Sequence, residues 1–373
     1  MQYTVFGKSG IEVSKLGFGC MRLPEVNIDG KKDFDAELSA EMMHRAIELG
    51  VNYFDTAPYY CDKKSEGIVG KALKGYRDRV YLSTKYPVGD GMTVQESLDK
   101  SLKNLDTDHI DFFHLWGINL KSFIEEIQIP GGPYEQALKL RDEGVIRNLS
   151  FSFHDAPENM IEIIKRGEGN FASVLCQYNL LDRANEESIA FAHEQNMGVT
   201  IMGPVGGGRL GYPSPAIAAL LPGKVNSSPE LALRFVMSNP NVNIALSGMG
   251  SMAMVEENCA VASNAAPLTG DELAGIAQSL DENKRLMELY CTGCNYCMPC
   301  PAGLNIPEIF RMMNYHRVYK LTDYAKGQYA SIGDEWHNYK NAAACVGCGQ
   351  CEKKCPQHLS IREQLKDVHK TLG

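Results

Sequence analysis

Short apolar runs recur along residues 1–265, at Leu16–Met21, Val51–Asp55, Val80–Lys85, Ile110–Trp116, Val145–Phe151, Ser173–Gln177, Val199–Gly203 and Asn243–Ser247. Between them lie stretches with apolar residues at helical spacing, such as Ala40–Leu49, Val94–Leu105, Tyr134–Glu143 and Glu186–Gln195. The short runs have strand length and the spaced stretches have helix length. Eight such repeats predict a (β/α)8 barrel rather than an open doubly wound sheet. Barrel chemistry belongs on the C-terminal ends of the strands and in the loops beyond them.

The polar residues fall there. Asp55 ends the second run, with Thr56, Ala57, Pro58, Tyr59 and Tyr60 after it. Lys85 ends the third, and His114 and Trp116 end the fourth. Ser152, Phe153 and His154 follow the fifth, Gln177 ends the sixth, and Gly203–Gly208 follow the seventh. Each alone has an ordinary structural explanation: an Asp caps a helix, a Lys is solvated, a His sits in the core. Their joint placement on successive strand ends predicts a catalytic mouth.

The chain has 373 residues and a formal charge of −9, which argues against a general binder of nucleic acid or anionic membrane. Met1–Gly10 lacks the pattern of a secretory signal, and no apolar stretch approaches the length of a membrane span. The charge is uneven. Residues 291–373 carry 10 Lys and Arg against 7 Asp and Glu, or +3, leaving 27 against 39, or −12, for residues 1–290. A basic tail of this kind could face an acidic redox partner.

Eight of the twelve cysteines fall into two runs in that tail: Cys291, Cys294, Cys297, Cys300 and Cys345, Cys348, Cys351, Cys355, closed by Pro301 and Pro356. A cubane needs four thiolates converging on one small body, and two-residue gaps let a turning backbone aim three of them inward. This is the spacing of bacterial two-cluster ferredoxins. Structural zinc is the main alternative for paired Cys-x2-Cys elements. The triple repeat and closing prolines favour two [4Fe–4S] clusters. In the ferredoxin pattern the fourth cysteine of each run serves the other cluster. That implies the sets Cys291, Cys294, Cys297 with Cys355, and Cys345, Cys348, Cys351 with Cys300. Cysteines kept for iron need a reducing compartment, so a cytoplasmic location is expected. Cys20, Cys61, Cys176 and Cys259 lack ligand spacing and read as buried small side chains, with Cys20 and Cys61 close enough to the mouth to be reactive thiols. The expected organisation is a barrel over 1–267, a helical connection over 268–290 and a small α-helical ferredoxin-like iron-sulfur domain over 291–373. Ile306–Tyr319 reads as an amphipathic helix between the cysteine runs.

Several stretches, in order, resemble the aldo-keto reductase superfamily: Leu16–Leu23 (LGFGCMRL), Phe54–Tyr60 (FDTAPYY), Ser65–Leu73 (SEGIVGKAL), Tyr81–Tyr86 (YLSTKY), Ile146–His154 (IRNLSFSFH), Gln177–Asp182 (QYNLLD) and Ser247–Asn258. With the tail CTGCNYCMPCPAGLNIP, Cys291 to Pro307, the chain resembles the branch that carries an added iron-sulfur domain. The resemblance implies an oxidoreductase that reduces a small carbonyl-type substrate with a nicotinamide cofactor. Of the family's catalytic Asp, Tyr, Lys and His, it places three at Asp55, Tyr60 and Lys85; family spacing selects Tyr60 over Tyr59. A free tyrosine titrates near ~10 and is a poor acid at neutral pH. A Lys85 ammonium held by Asp55 is expected to lower that value. Tyr60 would then donate a proton to the carbonyl oxygen as hydride reaches the carbon.

The fourth member departs from the pattern. Relatives in this branch carry His before Gly at the end of the fourth strand; here Phe112-Phe113-His114-Leu115-Trp116-Gly117 puts Trp116 in that place. His114 is the candidate, two residues earlier on the same strand face and roughly 6.5–7 Å deeper. The other reading of His114 is a buried, hydrogen-bonded core histidine, and His154 is a rival for substrate contact.

The resemblance also assigns Ser152 and Gln177 to the nicotinamide carboxamide, and Gly203 and Gly206 to the pyrophosphate. Ser247, Glu257 and Asn258 go to the adenosine end, and Gly19, Met21 and Arg22 complete the cofactor contacts. NADP-preferring relatives carry a basic residue four positions before the final Asn, which is Met254 here. Ser247–Asn258 contains no Lys or Arg, so NAD and NADP both stay open. A nicotinamide passes two electrons as hydride, whereas clusters pass one at a time. A flavin at the mouth could split the pair, although no flavin motif is recognisable. Two alternatives arise: a ferredoxin-linked or flavin-dependent reductase fed by its own clusters, with a ferredoxin or flavodoxin-type partner, and a non-catalytic redox-sensing barrel.

Overall fold

The eight apolar runs become eight parallel strands: β1 (Leu16–Gly19), β2 (Tyr53–Asp55), β3 (Tyr81–Pro87), β4 (Ile110–Ile118), β5 (Ile146–Phe153), β6 (Ser173–Gln177), β7 (Gly198–Met202) and β8 (Ile244–Gly248). Each pairs with its sequence neighbour, and β8 pairs back onto β1 with Leu246 opposite Gly17, so the sheet closes. β4 is buried at every position from Ile110 to Leu115, as a parallel strand covered on both faces requires. The computed structural model describes residues 1–373 except 29, 212–213, 222, 224, 289–290, 292–296, 335–336 and 356–358, and omits the side chains of 32, 207, 209 and 282–288. Cys294, Pro356 and the end of the expected connection at Tyr290 lie outside the described residues.

Helices fall between the strands with local reasons for their ends. Helix Val94–Leu105 starts at a capping box, with Thr93 accepting from the Glu96 amide and the Glu96 carboxylate accepting from the Thr93 amide at 2.9 Å. It buries Val94, Leu98, Ser101 and Leu105, one stripe at helical spacing.

A hairpin of Tyr3–Val5 and Glu12–Ser14 carries Phe6 to the N-terminal end of the barrel. Phe6 meets Tyr53 and Phe112 edge-on, with ring centroids 5.8 and 5.0 Å apart, and joins Val13, Leu175, Ile244 and Leu246 in one buried cluster. Burying a side chain of this size stabilises by about 1.5–3 kcal/mol. The cluster fills that end of the barrel, so the polar strand ends gather at the opposite one.

The chain forms two compact units, Met1–Gly206 with Ala232–Pro267, and Gly207–Leu231 with Leu268–Gly373. The stretch after β7 therefore belongs to the C-terminal unit, a membership the apolar pattern does not reveal. Inside that unit the Ser214 hydroxyl donates to the Tyr319 carbonyl at 2.5 Å, and the Ser214 amide donates to Ser228 Oγ at 3.1 Å. Its helices include Gly270–Glu288, Ile306–Arg317, Thr322–Ala330 and Ile361–Leu372. The last buries Ile361, Leu365, Val368 and Leu372 and leaves its polar face outward. Among the described residues no helix is long and apolar enough to cross a membrane.

Candidate active site

Asp55 is the last residue of β2, and Lys85 lies on the adjoining β3; both are buried, at 2% and 1% exposure. The Lys85 ammonium donates to both Asp55 carboxylate oxygens at 2.7 Å and to the Thr56 carbonyl at 2.8 Å. Asp55 also accepts from Ser83 Oγ at 2.6 Å. Burial is the largest influence and opposes the ammonium, but Asp55 and Tyr60 together outweigh it, and the pKa of Lys85 ends above its usual value. Lys85 is thus held as an ammonium inside the barrel.

Lys85 Nζ lies 4.8 Å from the centroid of the Tyr60 ring. The expectation that Lys85 lowers the Tyr60 pKa is corrected here: the net shift is upward. Burial of the phenol is the largest influence, Lys85 pulls the other way, and Asp55 adds to the rise. The hydroxyl thus keeps its proton throughout the neutral range.

The next three residues hold Tyr60 in place. Cys61, Asp62 and Lys63 have φ values of 52°, 51° and 67°, three consecutive left-handed residues that reverse the chain. The Cys61 thiol is directed at the carbonyls of Cys20 and Met21, at 3.5 and 3.6 Å. Burial, then the Asp55 carboxylate, hold the Cys20 thiol well above its usual value, which argues against a reactive thiolate there.

Trp116 stands at the rim, half-buried, with its ring edge-on to Tyr60 at 5.7 Å and tilted against Tyr59 at 5.8 Å. The register between β4 and β5 slips between Leu115 and Ile118, a bulge that re-aims this end of the strand. Tyr59 is 38% exposed, and a hydrogen bond to Asp90 pushes its pKa up to about 12. The sequence singles out these three aromatics one by one and hides the wall they build, because the bulge that joins them leaves no periodic trace.

His114 is fully buried beside Lys85, its register partner on β3. Neither ring nitrogen meets hydrogen-bond geometry, although the Phe151 backbone lies close enough to favour the charged form slightly. The reading as a hydrogen-bonded core histidine therefore holds for its burial and not for its bonding. Burial first, then the Lys85 charge, bring its pKa down to about 4. Between that value and the usual one near ~6.5, the unfolded chain binds the extra proton, so stability is lost as pH falls through this window. Denaturant unfolding at pH 7 and pH 5 should show the native protein losing about 2 kcal/mol more than a His114→Phe variant. Equal losses would mean that His114 is not held neutral.

The residues assigned to the cofactor line the same end of the barrel. Ser152 lies within β5 rather than after it, because the strand continues to Phe153, and its oxygen accepts from the Gly117 amide at 2.7 Å. A Cβ at Gly203 would stand 2.9 Å from Gln177 Oε1, and its φ of +63° suits glycine, so the Gln177 side chain packs closely against a turned backbone. The Gly206 amide closes that turn on the Gly203 carbonyl at 2.8 Å. Asn179, absent from the sequence-based set, donates to the same carbonyl at 3.2 Å; its place in QYNLLD is the available signal. Asn258 donates to Ser247 Oγ at 3.2 Å, whereas Glu257, Met21 and Arg22 are exposed. Gly19 pairs with Gly248, and the Arg22 side chain lies along Gly248. A glycine turn beside hydroxyl and amide groups suits a phosphate-bearing dinucleotide.

In the C-terminal unit, Cys291, Cys297, Cys300, Cys345, Cys348, Cys351 and Cys355 are all free of disulfides. Gly347 and Gly349 take left-handed φ values of 70° and 71°, which turn the backbone between Cys345, Cys348 and Cys351. Among the described residues no group of three His, Cys, Asp or Glu is gathered tightly enough for a single metal ion. A cubane spreads its thiolates wider than one ion does, and an all-thiolate donor set fits iron-sulfur chemistry.

A closed eight-stranded barrel with a buried Lys–Asp pair beneath a mouth tyrosine defines a barrel oxidoreductase. The chain belongs to the aldo/keto reductase family, whose model matches residues 15–281, and a 4Fe-4S dicluster domain matches residues 290–359. Aldo-keto reductase AKR11C1 from Bacillus halodurans is 31% identical with a TM-score of 0.64, over 75% of this chain and 96% of that one. The uncharacterized oxidoreductase YqkF of Bacillus subtilis is 28% identical over 74% of this chain and 95% of its own length. An aldo/keto reductase from Klebsiella pneumoniae, solved in complex with NADP and acetate, shares the fold at 23% identity and a TM-score of 0.60, over 74% of this chain and 94% of that one.

Proposed function

We propose that the barrel reduces a carbonyl-type substrate with NADH or NADPH, and that the tail holds two [4Fe–4S] clusters that pass single electrons. The observation that carries the reading is the Lys85 ammonium, fixed by three oxygens, against the face of Tyr60. A bound reduced nicotinamide would supply hydride to the carbonyl carbon. Tyr60 supplies the proton to the carbonyl oxygen, and Lys85 then stabilises the phenolate that remains. Asp55 keeps Lys85 charged and oriented. Ser152 and Gln177 would hold the carboxamide, and the Gly203–Gly206 turn the diphosphate. Relatives solved with NADP and NADPH support the choice of cofactor. Trp116, Tyr59 and Tyr60 form an aromatic wall suited to a flat, unsaturated carbonyl compound.

The clusters would be held by Cys291, Cys294, Cys297 and Cys355, and by Cys345, Cys348, Cys351 and Cys300. Anaerobic titration with NADH and with NADPH tests the link between the barrel site and the clusters. Bleaching of the cluster absorbance by either nucleotide is expected, and the more effective one reveals the preference. If both nucleotides bind without bleaching, the clusters do not exchange electrons with the barrel site.

A further inference from the structure

Trp116 stands where relatives carry their fourth catalytic residue, and its surroundings give it more to do than fill that space. On β4 it pairs with Pro87 of β3, two residues beyond the pairing of His114 with Lys85. Residues two apart on a strand share a face, so Trp116 lies on the His114 face, one step of roughly 6.5–7 Å nearer the mouth. The peptide after it is pinned, because the Gly117 amide donates to Ser152 Oγ at 2.7 Å and Gly117 turns left-handed at a φ of +63°.

Three side chains compete to meet a substrate oxygen beside Tyr60. His114 is fully buried, and its ring lies a step below the mouth. His154 lies against the backbone at Gly117, its Cδ2 3.8 Å from the place of a Cβ there, and among the described residues it stacks on no ring of the aromatic wall. Trp116 is the one in ring contact with Tyr60, edge-on at 5.7 Å. Its indole N–H has no hydrogen-bond partner among the described residues and is not sealed in the interior. An indole N–H only donates; it accepts nothing and does not titrate in the working range.

We infer that the Trp116 indole N–H is the second hydrogen-bond donor to the substrate's carbonyl oxygen, alongside the Tyr60 hydroxyl. The inference rests on the reading of Tyr60 as proton donor. In the step, the carbonyl carbon gains hydride from the reduced nicotinamide, the C=O π pair moves onto oxygen, and that oxygen takes the Tyr60 proton. The phenolate left behind stays beside Lys85. The indole keeps its proton throughout, and its hydrogen bond strengthens as charge gathers on oxygen, so it acts on kcat. The titratable and charged groups around position 116 are Tyr60 with Lys85 and Asp55, Tyr59 with Asp90 and Lys63, and His154. Partial enclosure holds the His154 pKa below its usual value, so native kcat should be level between about pH 7 and about pH 9.

The test follows reduction of para-nitrobenzaldehyde, a flat aromatic carbonyl, by anaerobic holoprotein with its preferred nucleotide. Trp116→Phe keeps a ring against Tyr60 and Tyr59 and removes the N–H. It should lower kcat roughly 10²-fold, the loss typical of one oxyanion donor, while KM changes less than about threefold. A raised KM with kcat within about threefold of native would make Trp116 a packing residue and overturn the inference. Trp116→His should regain at least about a tenth of native kcat and add a pH step near ~6.5 that the native profile lacks. A His variant as slow as the Phe variant at every pH also overturns it. His154→Ala should stay within about threefold of native; if it carries the loss instead, His154 is the donor. Where the aldehyde is not turned over, benzoate, a planar oxyanion, decides. Its calorimetric affinity for protein loaded with oxidised nucleotide should fall roughly tenfold in Trp116→Phe, and an unchanged affinity sinks the inference. Tyr60→Phe separates the two levels. If it slows the reaction and Trp116→Phe does not, only the indole's role falls; if neither does, the reading of Tyr60 as proton donor falls beneath it.

Discussion

Tyr60→Phe should lower kcat for carbonyl reduction by roughly 10²–10⁴-fold, the range general acid catalysis supplies, while nucleotide affinity stays within about twofold of the native value. The phenol faces Lys85, whose ammonium stands 4.8 Å from the ring centroid. Burial keeps the proton on the hydroxyl until a substrate oxygen gathers negative charge, and Lys85 then offsets the charge left behind. The ring's packing against Trp116 survives the substitution, so the loss isolates the hydroxyl. Initial rates with NADH and NADPH, together with calorimetric nucleotide binding, check both halves. A loss under tenfold would move the proton donor elsewhere. Tyr59 would be a poor substitute, since Asp90 pushes its pKa to about 12.

Removing the carboxylate beneath should cost structure as well as rate. In an Asp55→Ala variant the Lys85 ammonium stays buried with the Thr56 carbonyl and the Tyr60 hydroxyl as its remaining oxygen partners. Breaking one side of a buried pair typically destabilises by about 3–5 kcal/mol, because the uncompensated charge remains. Adding Lys85→Met should recover most of that loss, since the double variant buries no charge. Urea unfolding of the four proteins in this cycle measures the coupling. If Asp55→Ala costs less than about 1 kcal/mol, the value of an exposed pair, water must be reaching Lys85.

The strands are legible because parallel strands buried on both faces write themselves as apolar runs. β6 occupies Ser173–Gln177, the bounds of its apolar run, and the helix Val94–Leu105 likewise falls on its predicted bounds. The mouth is legible because strand ends are positions in a sequence. The direction of the Tyr60 shift is not: it depends on how far the phenol is shielded, and no local pattern records shielding by distant strands. The aromatic wall is hidden for a related reason, since a register slip after Leu115 decides where Trp116 points. His114 is legible as a polar residue on an inward face, and its lack of a hydrogen-bond partner is not.

The excursion of residues 207–231 into the C-terminal unit bears on where such a chain can be cut. A tail added at one junction is lost by one cut, but here the polypeptide leaves its barrel after Gly206 and rejoins it at Ala232, long before the tail begins. Deleting residues 268–373 would strip Ser214 of the Tyr319 carbonyl it bonds and leave the excursion with no unit to fold into. Removing the tail cleanly therefore means removing residues 207–231 with it.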